Sequence, residues 1–139
     1  MIADRRAHRR PIDRGEVVAV FVGGVAGTLL RAGLAELLPT SPGDWPWATF
    51  VANVAGCAIL GYAIAHLGDE GGSSRRVALI GSGFCGALTT FSTLQLELYE
   101  LVDRGDVVTA ITYLAASLAL GVVTVGLARD AVRRGRDLA

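Results

Sequence analysis

Gly86-Ala87-Leu88-Thr89-Thr90-Phe91-Ser92-Thr93 places four hydroxyl side chains within eight residues, inside a stretch that otherwise reads as membrane-spanning. Apolar residues lead into it from Val77 to Ile80. They lead out of it from Leu94 to Leu101, where the charges are Glu97 and Glu100. In lipid every backbone N–H and C=O needs a partner, so irregular backbone at this depth survives only when buried in protein or lining a polar cavity. Glycine and clustered threonine therefore predict a helix broken mid-membrane, the feature at which channels and transporters build ion sites. The competing reading is an unbroken helix whose hydroxyls bond back to the preceding turn.

Working outward, the rest of the chain supports a membrane location. Of 139 residues, 52% are hydrophobic, and the charges gather in tails and loops. A spanning helix needs roughly 20 mostly apolar residues, and four segments qualify: Val17 to Leu38, Trp45 to Leu67, Val77 to Val102 and Val107 to Leu127. The fold class expected is an all-α membrane protein of four transmembrane helices. It comprises an arginine-rich tail over 1–16, a four-helix unit over 17–127 and a second tail over 128–139. The first span follows an arginine-rich start as a secretory signal does. Its apolar run nevertheless continues past Arg31, and three spans follow, so it reads as a retained helix.

The connections are short: Pro39 to Asp44, Gly68 to Arg76 and Asp103 to Asp106. Gly71-Gly72-Ser73-Ser74 marks the middle one as a turn, and Trp45 and Trp47 open the second span as interfacial anchors. Four helices alone enclose a solvent pathway poorly, so an oligomer is expected. All thirteen basic residues are arginine. With four spans, the tails and middle loop share one side and hold eleven of them, while the opposite loops hold Arg104. Arginine near spans favours the cytoplasm, which puts both termini inside a bacterial-type cell membrane. Aspartates interleave the arginines of both tails, so a nucleic-acid partner is not expected.

Cys57 and Cys85 fall inside spans and read as packing residues. No nucleophile–base pair, phosphate loop or dinucleotide fingerprint supports an enzyme, and no His, Asp or Glu cluster accompanies the cysteines to hold a metal. Gly23 and Gly27, like Ala52 and Gly56, carry the small-xxx-small spacing that lets helices approach in lipid. The functional candidates are polar residues within spans. Asn53 lies in the second, and Thr109, Tyr113 and Ser117 form a stripe on the fourth, which Gly121 continues without a donor. Amide, phenol and hydroxyl donors without a full positive charge suit a small, strongly hydrated anion. An aromatic edge can join them.

Gly83-Phe84-Cys85-Gly86-Ala87-Leu88-Thr89-Thr90-Phe91-Ser92-Thr93 closely resembles the signature of the Fluc, or CrcB, fluoride channels. Gly23 to Arg31 and Val51 to Gly56 agree with it, and the resemblance runs from about Gly23 to Leu127. It implies an antiparallel dimer with two fluoride pathways and a central sodium ion that is structural and not transported. The sodium would be held by the backbone carbonyls of Gly86 and Thr89. The resemblance assigns Asn53, Phe91, Ser92, Thr93, Tyr113 and Ser117 to the fluoride pathway. It assigns Arg31 and Glu97 to a vestibule or pore mouth.

Two positions depart from that pattern. Leu94 stands where the family usually has a second phenylalanine, and Gly121 stands where some members carry a hydroxyl. The function implied is a passive channel that exports fluoride and lowers its cytoplasmic concentration. The alternatives are a small proton-coupled exporter of cationic compounds, for which Glu97 is the available carboxylate, and a non-conducting assembly partner of a related subunit. The arginine asymmetry opposes insertion in both orientations, which leaves a homodimer and a heterodimer with an oppositely oriented relative both open.

Overall fold

The computed structural model describes residues 13–68 and 74–138. Arg5, Arg6, His8, Arg9 and Arg10, and Gly71-Gly72-Ser73 where a turn was expected, lie outside them. The described chain is all-helical. Helix α1 (Arg14–Leu37) and α2 (Trp47–Gly68) are followed by a composite third span. That span consists of α3 (Ser74–Val77), a π-helical segment (Ala78–Cys85), α4 (Gly86–Leu88) and, after an interruption, α5 (Phe91–Asp103). Helix α6 (Val107–Asp137) completes the fold. Four stretches are long and apolar enough to cross a membrane: Arg14–Leu37, Trp47–Leu67, Arg75–Asp103 and Val107–Asp137.

Local chemistry sets the ends. Asp13 caps α1 by accepting from the Gly15 N–H at 2.9 Å, and its carboxylate also accepts from Arg75 Nε at 3.0 Å. The backbone bond first, and the guanidinium second, hold the Asp13 carboxyl below its ordinary range. The stability this tie lends is present above the unfolded carboxylate pKa near 3.8 and is lost as pH falls through the lowered folded value. At the other end, α5 closes on Gly105 at φ 88°. The Gly105 N–H reaches Val102 and the Asp106 N–H reaches Leu101, the paired bonds of a Schellman turn.

The bundle packs through bare backbone. Helix α1 lies along the π-helical segment, and α2 lies along α6. A Cβ on Gly23 would strike the Leu79 carbonyl, one on Gly27 the Phe84 carbonyl, and one on Gly83 the Val20 carbonyl. The Gly23/Gly27 pair thus serves close helix approach, as its spacing predicts. Gly56 makes room for the Thr89 side chain. Leu94, Leu101, Ala110 and Tyr113 form a small core where α5 meets α6, with Trp45, Phe50 and Leu98 around it.

Two features differ from the sequence expectation. The Gly86 N–H reaches back to Gly81, five residues earlier, so the helix is widened before it is broken. The fourth helix also continues ten residues past Leu127, through the arginines expected to form a tail, and ends at Asp137.

Gly83→Val is expected to cost roughly 1–3 kcal/mol or more, because the colliding atoms are backbone and cannot rotate away. Gly24 is the control, since a methyl group added there would meet nothing within 4 Å. Gly24→Ala is expected to be neutral or to stabilise by about 0.5–1 kcal/mol. Thermal unfolding of the two variants in detergent separates these outcomes.

Candidate functional site

The third span is interrupted at Thr89 and Thr90, both extended, with ψ of 149° and 122°. Thr89 is the middle residue of the 29-residue span Arg75–Asp103. The side chain of Asn53 bridges the gap. Its Oδ1 accepts from the Thr90 N–H at 2.8 Å, and its Nδ2 donates to the Thr90 carbonyl at 3.1 Å. One amide thereby satisfies both backbone groups of a residue that has left the helix. Thr90 then caps α5, its Oγ1 accepting from the Thr93 N–H at 3.2 Å and lying 2.9 Å from Thr93 Oγ1 and 3.3 Å from Ser92 Oγ.

These bonds free two carbonyls. In a continuous helix Gly86 C=O would accept from the Thr90 N–H, and Thr89 C=O from the Thr93 N–H. Here the first donor goes to Asn53 and the second to Thr90 Oγ1. Of the neighbouring carbonyls, Cys85 C=O accepts from the Thr89 N–H at 3.0 Å and the Thr89 hydroxyl at 2.9 Å, and Ala87 C=O from Arg31 Nε at 3.2 Å, while Leu88 C=O also lies at the break, without the Ser92 N–H that a continuous helix would give it. Arg31 is half-buried and turned onto the break.

A groove of about 340 Å³ runs beside the interruption. Asn53, Phe91, Thr90, Leu94 and Ser117 line it, together with Gly86 and Thr89. Phe91 is 68% exposed on its open side, and Ser92 is exposed next to it. Ser117 Oγ is buried against the groove with no hydrogen-bond partner among the described residues. Thr93 is half-buried beneath the cap, and Gly121 sits against Cys57. Leu94, at the position of the missing aromatic, is 5% exposed and belongs to the core under Tyr113.

Tyr113 is fully buried, and its hydroxyl donates to Glu97 Oε2 at 2.7 Å. The Thr49 hydroxyl donates to Glu97 Oε1 at 2.6 Å. One carboxylate therefore ties α2, α5 and α6 together. It also lines a second cavity, of about 180 Å³, with Thr40, Ser41, Asp44, Glu100 and Arg104. Sequence reading missed Thr49. The signal was present, since Thr49 lies one turn before Asn53 and extends its face toward the second cavity. Among the described residues no group of three or more His, Cys, Asp or Glu side chains is placed to hold a metal. A hard cation here would have to use the freed carbonyl oxygens.

Comparison with known proteins agrees with the motif. A family model described as CrcB-like protein, Camphor Resistance (CrcB), matches residues 18–129. The chain is similar to the fluoride-specific ion channel FluC 1 of Mycobacterium tuberculosis (43% identity over 125 residues, 89% of this chain and 95% of the relative). It is also similar to FluC 2 of Nocardia farcinica, at 37% over 124 residues, 88% of this chain and 89% of the relative. The fluoride-specific ion channel FluC of Ignicoccus hospitalis is 36% identical over 118 residues, 85% of this chain and 95% of the relative.

Thr49→Val and Tyr113→Phe each remove one partner from the half-buried Glu97 and are expected to cost about 1–3 kcal/mol. A double-mutant cycle read by thermal unfolding is expected to give a coupling of at least about 0.5 kcal/mol, since both act through one carboxylate.

Proposed function

The chain belongs to the CrcB family, and on that premise we propose that it is a fluoride-selective passive channel that exports fluoride and lowers its concentration in the cell. It is a multi-pass membrane protein by its four spans. The observation that carries the reading is the donor set beside the break: Asn53, Thr90 and the unpartnered Ser117 hydroxyl line one groove with the Phe91 ring. A small anion leaving water needs its lost hydrogen bonds replaced, and hydroxyl and amide donors do this without the trap of a full positive charge. The Phe91 ring edge adds a weak positive contact. Ser92 and Thr93 continue the pathway in this reading, with Glu97 toward a mouth; Tyr113 supports it from behind through Glu97, and Arg31 stands beside the break, where it holds the Ala87 carbonyl. A cation exporter is disfavoured because Glu97 is engaged by two hydroxyl donors.

Sodium belongs to the proposal as a structural ion. In its support, the Gly86 and Thr89 carbonyls are among those that lose their helical donors at the break, the Thr90 and Thr93 N–H groups having gone to Asn53 and Thr90 Oγ1, and neutral oxygens suit a hard monovalent cation. When bound, the ion would supply fixed positive charge at the break. Gly86→Pro is expected to disrupt this region, and Thr89→Ser to be mild.

Assembly follows from depth. Phe91 and Ser92 are exposed at the middle of a span beside the half-buried Thr90. Hydroxyls there are poorly matched to lipid, so a second subunit is proposed to cover them. An antiparallel partner would bring two breaks together. With eleven arginines at one end and Arg104 in the opposite loops, both termini are proposed to be cytoplasmic, and a related chain of opposite bias suits the partner better than a second copy. Labelling of cysteines introduced at Ser73 and Asp106 in intact cells is expected to mark Asp106 from outside. Equal labelling of both sites would remove the heterodimer.

Liposomes carrying the chain, with and without a neighbouring related chain, are expected to release fluoride and retain chloride. Asn53→Ala and Phe91→Ile are expected to lower the flux by roughly tenfold or more, the equivalent of one lost strong contact. Comparable chloride release by the wild-type protein would overturn the fluoride assignment.

A further inference from the structure

Helices α2 and α6 run side by side in the same direction, and residues across their seam pair at one constant offset. Thr49 and Tyr113 both donate to Glu97. One turn on, Asn53 and Ser117 line the groove beside the break. A turn further, a Cβ on Gly121 would meet Cys57 Sγ at 3.5 Å. After another turn Gly61 lies on Val125, where an added Cβ would strike the Val125 backbone at 2.9 Å. The spacing of four residues keeps all these pairs on one seam.

The pairs up to Cys57 and Gly121 each carry a hydrogen-bond donor, and the Gly61–Val125 pair closes the seam with backbone. Cys57 is therefore the last donor of the row. Its thiol is free and half-buried, and it lines the groove together with Asn53 and Ser117. It forms no hydrogen bond among the described residues. Gly121 continues the stripe of Tyr113 and Ser117 without a side chain, and Cys57 Sγ lies against the space so left. A further cavity, of about 320 Å³, shares the walls Leu60 and Gly81 with the groove and continues to Ser82 and Val77. An ion moving from Asn53 toward that end of the third span thus passes the level of Cys57.

We propose that Cys57 is a pathway residue, its S–H donating to fluoride one turn beyond Asn53 and Ser117 in place of the hydroxyl that Gly121 lacks. This rests on the fluoride-channel reading and extends the donor set to a residue outside the hydroxyl stripe. An S–H is a weaker donor than an O–H. In a passage of low dielectric, however, a hydrogen bond is electrostatically stronger than in water, and this donor is not spent elsewhere. A weak contact also lets the ion leave, which conduction through successive sites requires.

The test measures fluoride release from liposomes holding the full chain, alone or with the related chain, whichever assembly releases fluoride. Cys57→Ala is expected to slow release roughly three- to tenfold, the loss of one neutral hydrogen bond, and Cys57→Ser to retain it. Adding Gly121→Ser to Cys57→Ala is expected to restore release, because the space holds a Cβ at ordinary contact and the hydroxyl rejoins the stripe. Adding Gly121→Ala fills the same space without a donor and is expected not to restore it. A purely packing role for the sulfur would be met equally by both. In Cys85→Ala, Cys57 is the one thiol left, and mercuric ion is expected to block release. There an S–Hg bond replaces the S–H bond, the proton goes to water, and the metal obstructs the groove. Undiminished release by Cys57→Ala, restoration by both Gly121 variants or by neither, or mercury-insensitive release by Cys85→Ala would each overturn the proposal and leave the channel reading standing. Absence of fluoride release by the wild-type chain in either assembly would overturn both.

Discussion

The amide of Asn53, bonded through both its oxygen and its nitrogen to the backbone of Thr90, is the interaction on which the broken span depends. A backbone N–H or C=O without a partner in a low-dielectric setting costs several kcal/mol, which is why spans are usually continuous helices. Asn53 removes that cost for the one residue where it would be highest. The bond comes from α2, so the break can form only when α2 and the third span are docked in register. Local conformation and tertiary packing are thereby made a single event.

The same docking explains the glycines and the π-helical turn. Helix α1 must pass the third span closely enough for Arg31 to reach the Ala87 carbonyl, and Gly23, Gly27 and Gly83 clear the path. A π-turn widens the helix by one residue and shifts every later side chain around the axis by about 100°. Placed just before the break, it sets the face on which Gly86, Thr89 and Phe91 emerge beside the groove. Arg31 serves this arrangement as an anchor, since a guanidinium bonded to a carbonyl at the break has its orientation fixed there.

The break was legible in the sequence because four hydroxyls clustered inside an apolar run call for polar surroundings that lipid does not offer. Four spans, the small-residue contacts and the candidate donors were readable for similar reasons, each resting on a local pattern. What escaped were features decided between helices. Nothing in Ala78–Cys85 marks a π-helix, since its bonds are chosen by the approach of α1. Thr49 gains its meaning from Glu97, 48 residues away. The length of α6 was underestimated because hydropathy ends at Ala128, whereas Arg136 on the last turns of α2 holds the helix together beyond the apolar region.

Leu94 shows how packing accounts for a departure that sequence comparison alone leaves as a deficit. Its side chain is enclosed between the groove and a core formed with Leu101, Ala110 and Tyr113. Tyr113 is in turn walled by Trp45 and Phe50, with ring centroids 5.3 and 6.4 Å away. A phenylalanine in place of Leu94 would have to turn its ring toward the groove that Leu94 lines, because on the core side overpacking costs about 1–3 kcal/mol. In this chain the aromatic mass lies behind the groove and fixes the hydroxyl network, and Phe91 alone supplies a ring on the open side. Leucine at position 94 is therefore the residue consistent with its neighbours.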